Sequence, residues 1–285
     1  MKYFEHLRSH IRRPRVLAEY RGVESDSDKL CFFANYHPYG EATAHTENYL
    51  RALRRDGFDI VLCSTSPELP GHALRIFLKL CCVVIHRENA GYDFYSWKTC
   101  FERVAGWQSR KALLLTNDSI LGPIKPLGPL WAKIDACDAG LVGLNDSHER
   151  GYHLQSFFLY VKAELLSSNV FERFWRKVRV LKKKSDIIKK YEVGFTQQMQ
   201  SAGCSVEALF PQRDLQQFCL SLGDDFQYPD ILLNLKFNAT LYCWYELVHF
   251  FDYPFVKAAV LRHDCYRSQH YAKLDAMLAS VEQGG

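Results

Sequence analysis

Four short apolar runs, each followed by a polar cluster, constrain this chain more than any other feature. They are LCFFAN (30–35), DIVLCST (59–65), CCVVIHR (81–87) and KALLLTND (111–118). Between them lie helical spacings: Tyr49, Leu50 and Leu53 share a face over 44–55, and 96–104 reads as a second helix. Strands alternating with helices predict βαβ units and a mostly parallel sheet. AGLVGLND (139–146) and HLQSFFLYVK (153–162) read as two further strands, and 164–180 as one strong helix carrying Phe171, Phe174 and Trp175. A helix over 192–202 closes at Gly203. The tail from Pro229 reads as helical, with Leu241, Trp244, Tyr245, Val248 and Phe251 at helical spacing and a last helix over 256–261.

Composition narrows the class. Of 285 residues, 48% are hydrophobic and 24% charged, a globular balance rather than a disordered one. Lys+Arg is 36 against 32 Asp+Glu, so the net charge of +4 makes nucleic acid an unpromising partner. No apolar run approaches the ~20 residues of a membrane span, and MKYFEHLRSHIRRPR lacks the apolar stretch of a secretory signal. A cytoplasmic protein is expected, with its ten cysteines reduced, since no C-x-x-C pair occurs. Phe4, Leu7 and Ile11, interleaved with arginines, predict a short basic amphipathic helix. It either packs on the body or forms a foot on an anionic membrane. The expected organisation is that helix and a connector over 1–28, an α/β domain over 29–215, and a helical addition packed on it over 216–285.

In an open parallel sheet, ligands bind beyond the carboxyl ends of the strands. His37 and Tyr39 follow the first run. Arg87, Asn89, Gly91 and Asp93 follow the third, Asn117, Asp118 and Ser119 the fourth, and Asn145 and Asp146 the fifth. Each cluster alone is ordinary turn chemistry; four at one sheet edge suggest a site. Phosphate-loop, dinucleotide, hydrolase-elbow and paired zinc motifs are all absent.

The order Asn89-x-Gly91-x-Asp93, helix, then a strand ending in Asn117-Asp118-Ser119 resembles a GT-A glycosyltransferase. RENAGYDFYSWK (87–98), LLLTNDSILGPI (113–124), HLQSFFLYVK (153–162), YEVGFTQQMQSAG (191–203) and YPFVKAAVLR (253–262) together resemble the rhamnan synthesis protein F family of bacterial cell-surface polysaccharide enzymes. The resemblance implies a GT-A-like, Rossmann-like, mostly parallel sheet flanked by helices, with a helical C-terminal addition. It implies transfer of a sugar, rhamnose or another hexose, from a nucleotide-sugar donor to a growing O-antigen, capsule or rhamnan. The acceptor would be lipid-linked or an oligosaccharide, at the inner membrane face.

The same resemblance assigns roles. His37, Tyr39, Arg87, Asn89, Gly91, Asp93, Asn117 and Ser119 would bind the donor. Asp118 would meet the diphosphate and a divalent metal (Mn or Mg), with His263 as a further ligand. Because one carboxylate replaces the usual D-x-D pair, neutralisation by Arg87 and nearby basic side chains stays open. Asp146 repeats the Asn-Asp-Ser triplet and is a rival to Asp118. Glu192 is the base candidate for an inverting reaction. His153 and Gln155 would hydrogen-bond the acceptor, and Trp97 either touches the nucleoside or fills the core. The basic stretch 173–190 is either a solvated face or one turned to anionic lipid. Two rivals remain: a non-catalytic glycan-binding or scaffold subunit that kept the fold, and a nucleotidyltransferase, for which the loop after the first strand is a poor phosphate cradle.

Overall fold

The computed structural model describes residues 13–263 except residue 25, together with Tyr266, Leu274 and Leu278. The amphipathic helix expected near the N-terminus lies outside these residues. The chain opens with β1 (Val16–Arg21) and β2 (Lys29–Asn35), then α1 (Ala44–Arg55), β3 (Phe58–Ser64), α2 (Gly71–Leu80) and β4 (Val83–Arg87). It continues through α3 (Tyr92–Arg103), β5 (Ala112–Asn117), β6 (Ile120–Leu121) and α4 (Gly128–Ala136). Next come β7 (Leu141–Gly143), β8 (Asp146–Ser147), β9 (His153–Leu154) and β10 (Phe158–Lys162). Helices α5 (Ala163–Leu166), α6 (Asn169–Lys177) and α7 (Lys184–Ile187) lead into a π-helix (Ile188–Val193) and α8 (Gly194–Ser201). The chain closes with β11 (Val206–Ala208), α9 (Gln212–Ser221), α10 (Ala239–Tyr242), α11 (Trp244–Phe250), β12 (Val256–Lys257) and α12 (Ala258–Arg262).

Eight strands form one sheet in the order β1-β4-β3-β2-β5-β10-β7-β11. Only β1 and β10 run against the rest. This is the mostly parallel, helix-flanked α/β sheet that the family resemblance implies. Strand β2 shows why its sequence is uniformly apolar. Cys31 and Phe33 face a core shared with Leu50 and Leu53 of α1 and Phe77 of α2. Leu30, Phe32 and Ala34 face a second core with Trp97 of α3, Trp175 of α6 and Phe195 of α8. A strand covered on both faces needs no polar alternation.

Local signals set several boundaries. Thr43 caps α1 by accepting from the Thr46 amide at 3.2 Å. Gly91, at φ +83, begins α3; a Cβ there would lie 2.6 Å from that of Tyr95.

Several boundaries differ from the sequence expectation. Strand β1 and helix α2 were not anticipated, the former because its alternation is short and half exposed. The single helix expected over 164–180 breaks at Ser167–Ser168, where Ser168 accepts from the Phe171 amide and caps α6 afresh. HLQSFFLYVK is two strands; its first piece pairs with β8 in a small separate ribbon. The last expected helix is preceded by β12, which pairs with β6 and ties the C-terminal segment to the carboxyl rim of β5. Nine described cysteines are free. No described helix is long and apolar enough to cross a membrane.

Candidate active site

A cleft of about 480 Å³ opens beyond the carboxyl ends of β4 and β5. A smaller cavity of about 150 Å³ adjoins it, and Arg262 lines both. Two neighbouring hydrogen-bonded sets of acids and amides line them, one to each. Asn117, the last residue of β5, donates from Nδ2 to Asp93 Oδ2 (2.8 Å), and its Oδ1 accepts from the Ser119 amide (3.0 Å) and hydroxyl (2.6 Å). All three line the cleft. Asp118 turns to the smaller cavity. Its Oδ2 accepts from the Tyr36 amide (2.6 Å) and Asn35 Nδ2 (3.0 Å), so this carboxylate fixes the loop after β2. His37 lines the same cavity; its Nδ1 accepts from the amides of Tyr39 (3.3 Å) and Glu41 (3.1 Å).

Glu192 sits across the cleft from Asn117 and Asp93. Its Oε1 accepts two hydrogen bonds from Ser156, from the amide (2.9 Å) and the hydroxyl (2.8 Å). Sequence reading put Glu192 in the first turn of a helix. It lies instead near the end of the π-helix that runs into α8, so a helix dipole does not explain it. Single-turn π insertions recur at functional sites. His153 and Gln155 also line the cleft. His153 Nδ1 is tied to the Gly151 carbonyl at 2.8 Å, which leaves Nε2 as the nitrogen without that partner.

The cleft's cations come from residues that sequence reading passed over: Arg150, Lys184, Lys257 and Arg262. Lys257 is the most enclosed of them. Its Nζ donates to Gln155 Oε1 (2.7 Å) and lies 4.8 Å from the centre of the Phe157 ring. Its hydrogen-bond partner is a neutral amide, so its charge is not cancelled by a paired carboxylate. The signal was present, since one lysine interrupts the apolar run FVKAAVL. Lys184 was read only as part of a charged break.

Burial and mutual charge tune this set. Burial, helped by the charge of Glu192, pushes the Asp93 carboxyl up to about 6 against the hydrogen bond from Asn117. Burial and the nearby Asp93 push Asp118 up to about 7, against the Tyr36 amide. Burial lowers Lys257 to about 8, while Glu192 and Glu149 support its charged form.

Other expected site residues are placed elsewhere. Arg87 is fully buried, and its guanidinium donates to the carbonyls of Glu88, Ala90 and Tyr92 and to Ser96 Oγ, at 2.7–3.1 Å. It organises the loop before α3 and lines neither cavity. Gly91 provides that loop's left-handed turn. Asn89 is exposed and Tyr39 is 71% exposed; neither lines a cavity. Trp97 is core, donating from Nε1 to the Thr116 carbonyl at 3.2 Å. Asp146 accepts from the Gln212 amide at 2.6 Å at the start of α9, a structural cap.

His263 is exposed and lines neither cavity. Among the described residues no three His, Cys, Asp or Glu side chains are grouped to hold a metal ion. Asp118 offers a single carboxylate that already accepts two hydrogen bonds, so a divalent cation here would draw most of its oxygens from the donor's phosphates and from water.

Fold and cleft together define a mostly parallel α/β protein with an acid, amide and cation site at its carboxyl rim. Residues 60–239 match the family described as rhamnan synthesis protein F, and the chain belongs to that family. It is 25% identical over 274 residues to the virulence protein VirA of Vibrio anguillarum, covering 90% of this chain and 87% of VirA. It is also 25% identical over 174 residues to the uncharacterized protein y4gN of Sinorhizobium fredii. That match covers 58% of this chain and 44% of y4gN, so the chain spans less than half of that relative. Among solved structures, it is similar to a putative nucleotide-diphospho-sugar transferase from Desulfovibrio desulfuricans (12% identity, 90% of this chain and 99% of that one, TM-score 0.43). Another is the mannosyltransferase PcManGT from Pyrobaculum calidifontis (11% identity, 92% and 88%, TM-score 0.41).

Proposed function

We propose that the chain is an inverting glycosyltransferase that moves a sugar, rhamnose or another hexose, from a nucleotide-sugar donor to a growing cell-surface polysaccharide. The carrying observation is the pair of neighbouring cavities that share Arg262, with Asp93, Glu192 and four cations lining the larger one. A nucleotide sugar is itself a two-part ligand joined by a diphosphate. In this reading the nucleoside takes the smaller cavity with His37 and Asp118. The diphosphate lies at the Arg262 junction, and the sugar faces Glu192.

The chemistry then follows from the side chains. Glu192, steadied through one oxygen by Ser156, accepts the proton of an acceptor hydroxyl. The acceptor oxygen attacks the anomeric carbon while the bond from that carbon to the phosphate oxygen breaks. The transition state is oxocarbenium-like, as in glycoside hydrolysis. The leaving diphosphate carries the electron pair away, and Lys257, Lys184, Arg150 and Arg262 offset its charge. His153 and Gln155 hold acceptor hydroxyls. In this reading fixed ammonium and guanidinium groups share the neutralisation of the diphosphate with any divalent cation the donor brings.

The test is a thermal shift or calorimetric titration with a panel of nucleoside diphosphates, followed by transfer assays with the matching sugars, each with and without Mn²⁺ or Mg²⁺. One nucleotide should stabilise the protein by mass action and its sugar should be transferred. Binding without transfer or donor hydrolysis would favour the second reading, a glycan-binding scaffold subunit, for which the reduced acidic motif speaks.

A further inference from the structure

The segment from α6 through the π-helix carries a charge concentration that the cleft uses only in part. Nine lysines and arginines between 173 and 190 are exposed, against one acid, Asp186. The stretch carries a net +8 while the whole chain carries +4, so the remainder is net negative. Among the described residues, none of the nine is in an ion pair with a carboxylate. Exposed cations this close repel one another, and a solvated helix face would ordinarily intersperse acids to relieve that.

Tertiary contacts gather these cations. The Tyr191 hydroxyl accepts from the Arg179 amide (2.7 Å) and donates to the Arg179 carbonyl (2.8 Å), pinning the segment after α6 to the π-helix. Lys190 lies 5.8 Å from the centre of the Tyr191 ring. At the other end Lys184 reaches the cleft, flanked there by Ile187 and Ile188. The basic surface and the mouth of the cleft are therefore continuous.

We infer that this basic face, centred on Tyr191, docks on the anionic surface of a lipid bilayer and presents the cleft to an acceptor held in that surface. The acceptor part rests on the glycosyltransferase reading; the docking part does not. A bilayer offers smeared negative charge and asks only for a cluster of cations near it. A polynucleotide would also be drawn by charge, but single-strand sites add exposed aromatic platforms for bases. Here Phe171, Phe174, Trp175 and Tyr191, the aromatic residues of the segment, are buried.

The experiment is co-sedimentation of the full chain with vesicles of phosphatidylcholine alone, or with about 30% phosphatidylglycerol, at about 0.1 M salt. Binding to the anionic vesicles should exceed binding to neutral ones by at least about tenfold and vanish near 0.5 M salt. The quadruple variant K182E/K183E/K189E/K190E leaves Lys184 in place. It should lose at least about tenfold in vesicle binding while keeping the parent's melting temperature and nucleotide affinity. Equal binding to both vesicles, no binding to either, or an unchanged quadruple variant overturns the docking surface. So does a short oligonucleotide that competes the protein off the vesicles at lower phosphate concentration than the lipid itself. Nucleotide titration is read separately, so vesicle binding without nucleotide binding would leave docking standing and remove the glycosyltransferase reading.

Discussion

The two walls of the cleft treat their polar groups differently. At the β2, β4 and β5 end, polar residues are turned on one another: Asp118 holds the Tyr36 amide, Asn117 holds Asp93 and Ser119, and Arg87 holds three carbonyls. On the opposite wall, built from β9, the start of β10 and the C-terminal segment, charges face the cleft with fewer partners. Lys257 meets only a neutral amide by hydrogen bond, and Glu192 is tied through one oxygen. The first rim builds a shape and the second supplies the charge that a ligand would meet. A polar residue on a loop is thus a weak guide to function until its hydrogen bonds are counted.

That contrast can be broken experimentally, and the largest effect is expected at Glu192. Glu192→Gln should lower the rate of transfer by about 10²–10⁴-fold, with nucleotide affinity kept within about twofold. A parent-like rate would move the base elsewhere. Arg87→Met tests the opposite rim. Stranding its carbonyl partners should cost on the order of 3 kcal/mol, or about 6–12 °C in melting temperature. A nucleotide affinity that fell while the melting temperature held would make Arg87 a ligand contact after all.

Lys257→Gln should weaken nucleoside diphosphate binding by about 10–100-fold, and Lys257→Arg should restore most of it. Because Lys257 titrates near 8, parent affinity should decline as pH rises through that value. The arginine variant should lose this limb, which calorimetry at pH 7 and 9 would show.

The acids predict a pH dependence of stability. Asp93 at about 6 and Asp118 at about 7 both lie above the ordinary value of 3.8. The folded state therefore binds these protons more tightly than the unfolded chain. Their contribution is complete below about pH 4 and is lost as pH rises through about 6 and 7. Asp118→Asn should flatten that slope, and at pH 8 should exceed the parent by on the order of 1–3 kcal/mol in denaturant unfolding. A steeper slope in the variant would contradict the assignment. The smallest effect is expected at exposed Asn89, where Asn89→Ala should leave stability and affinity within about 0.5 kcal/mol of the parent.

Much of the first rim was legible in the sequence. Apolar runs of four to six residues ending in Asn, Asp or Gly fix both a strand and the side on which its loop emerges, so Asp93, Asn117 and Ser119 could be placed at one edge. The rim's internal hydrogen bonds were not legible, and Arg87 was therefore taken for a ligand contact. In the second half, strands of two or three residues, β8, β9 and β11, carry too little periodicity to be told from loops. The π-helix around Glu192 has no sequence signature at all.

What the sequence determined by itself is the layering. Residues apolar on both faces of β2 to β5 require helices on both sides, because neither face can be left in water. What only the tertiary structure decided is which charges meet. Arg150, Lys184 and the Lys257–Arg262 pair come from three segments far apart in the chain. Each looks locally like any solvated cation, since a long side chain's direction is set by what packs around its stem and not by its neighbours in sequence. The pairing of β12 with β6 carries Lys257 and Arg262 to the rim of β5, and that contact converts two ordinary basic residues into walls of a site.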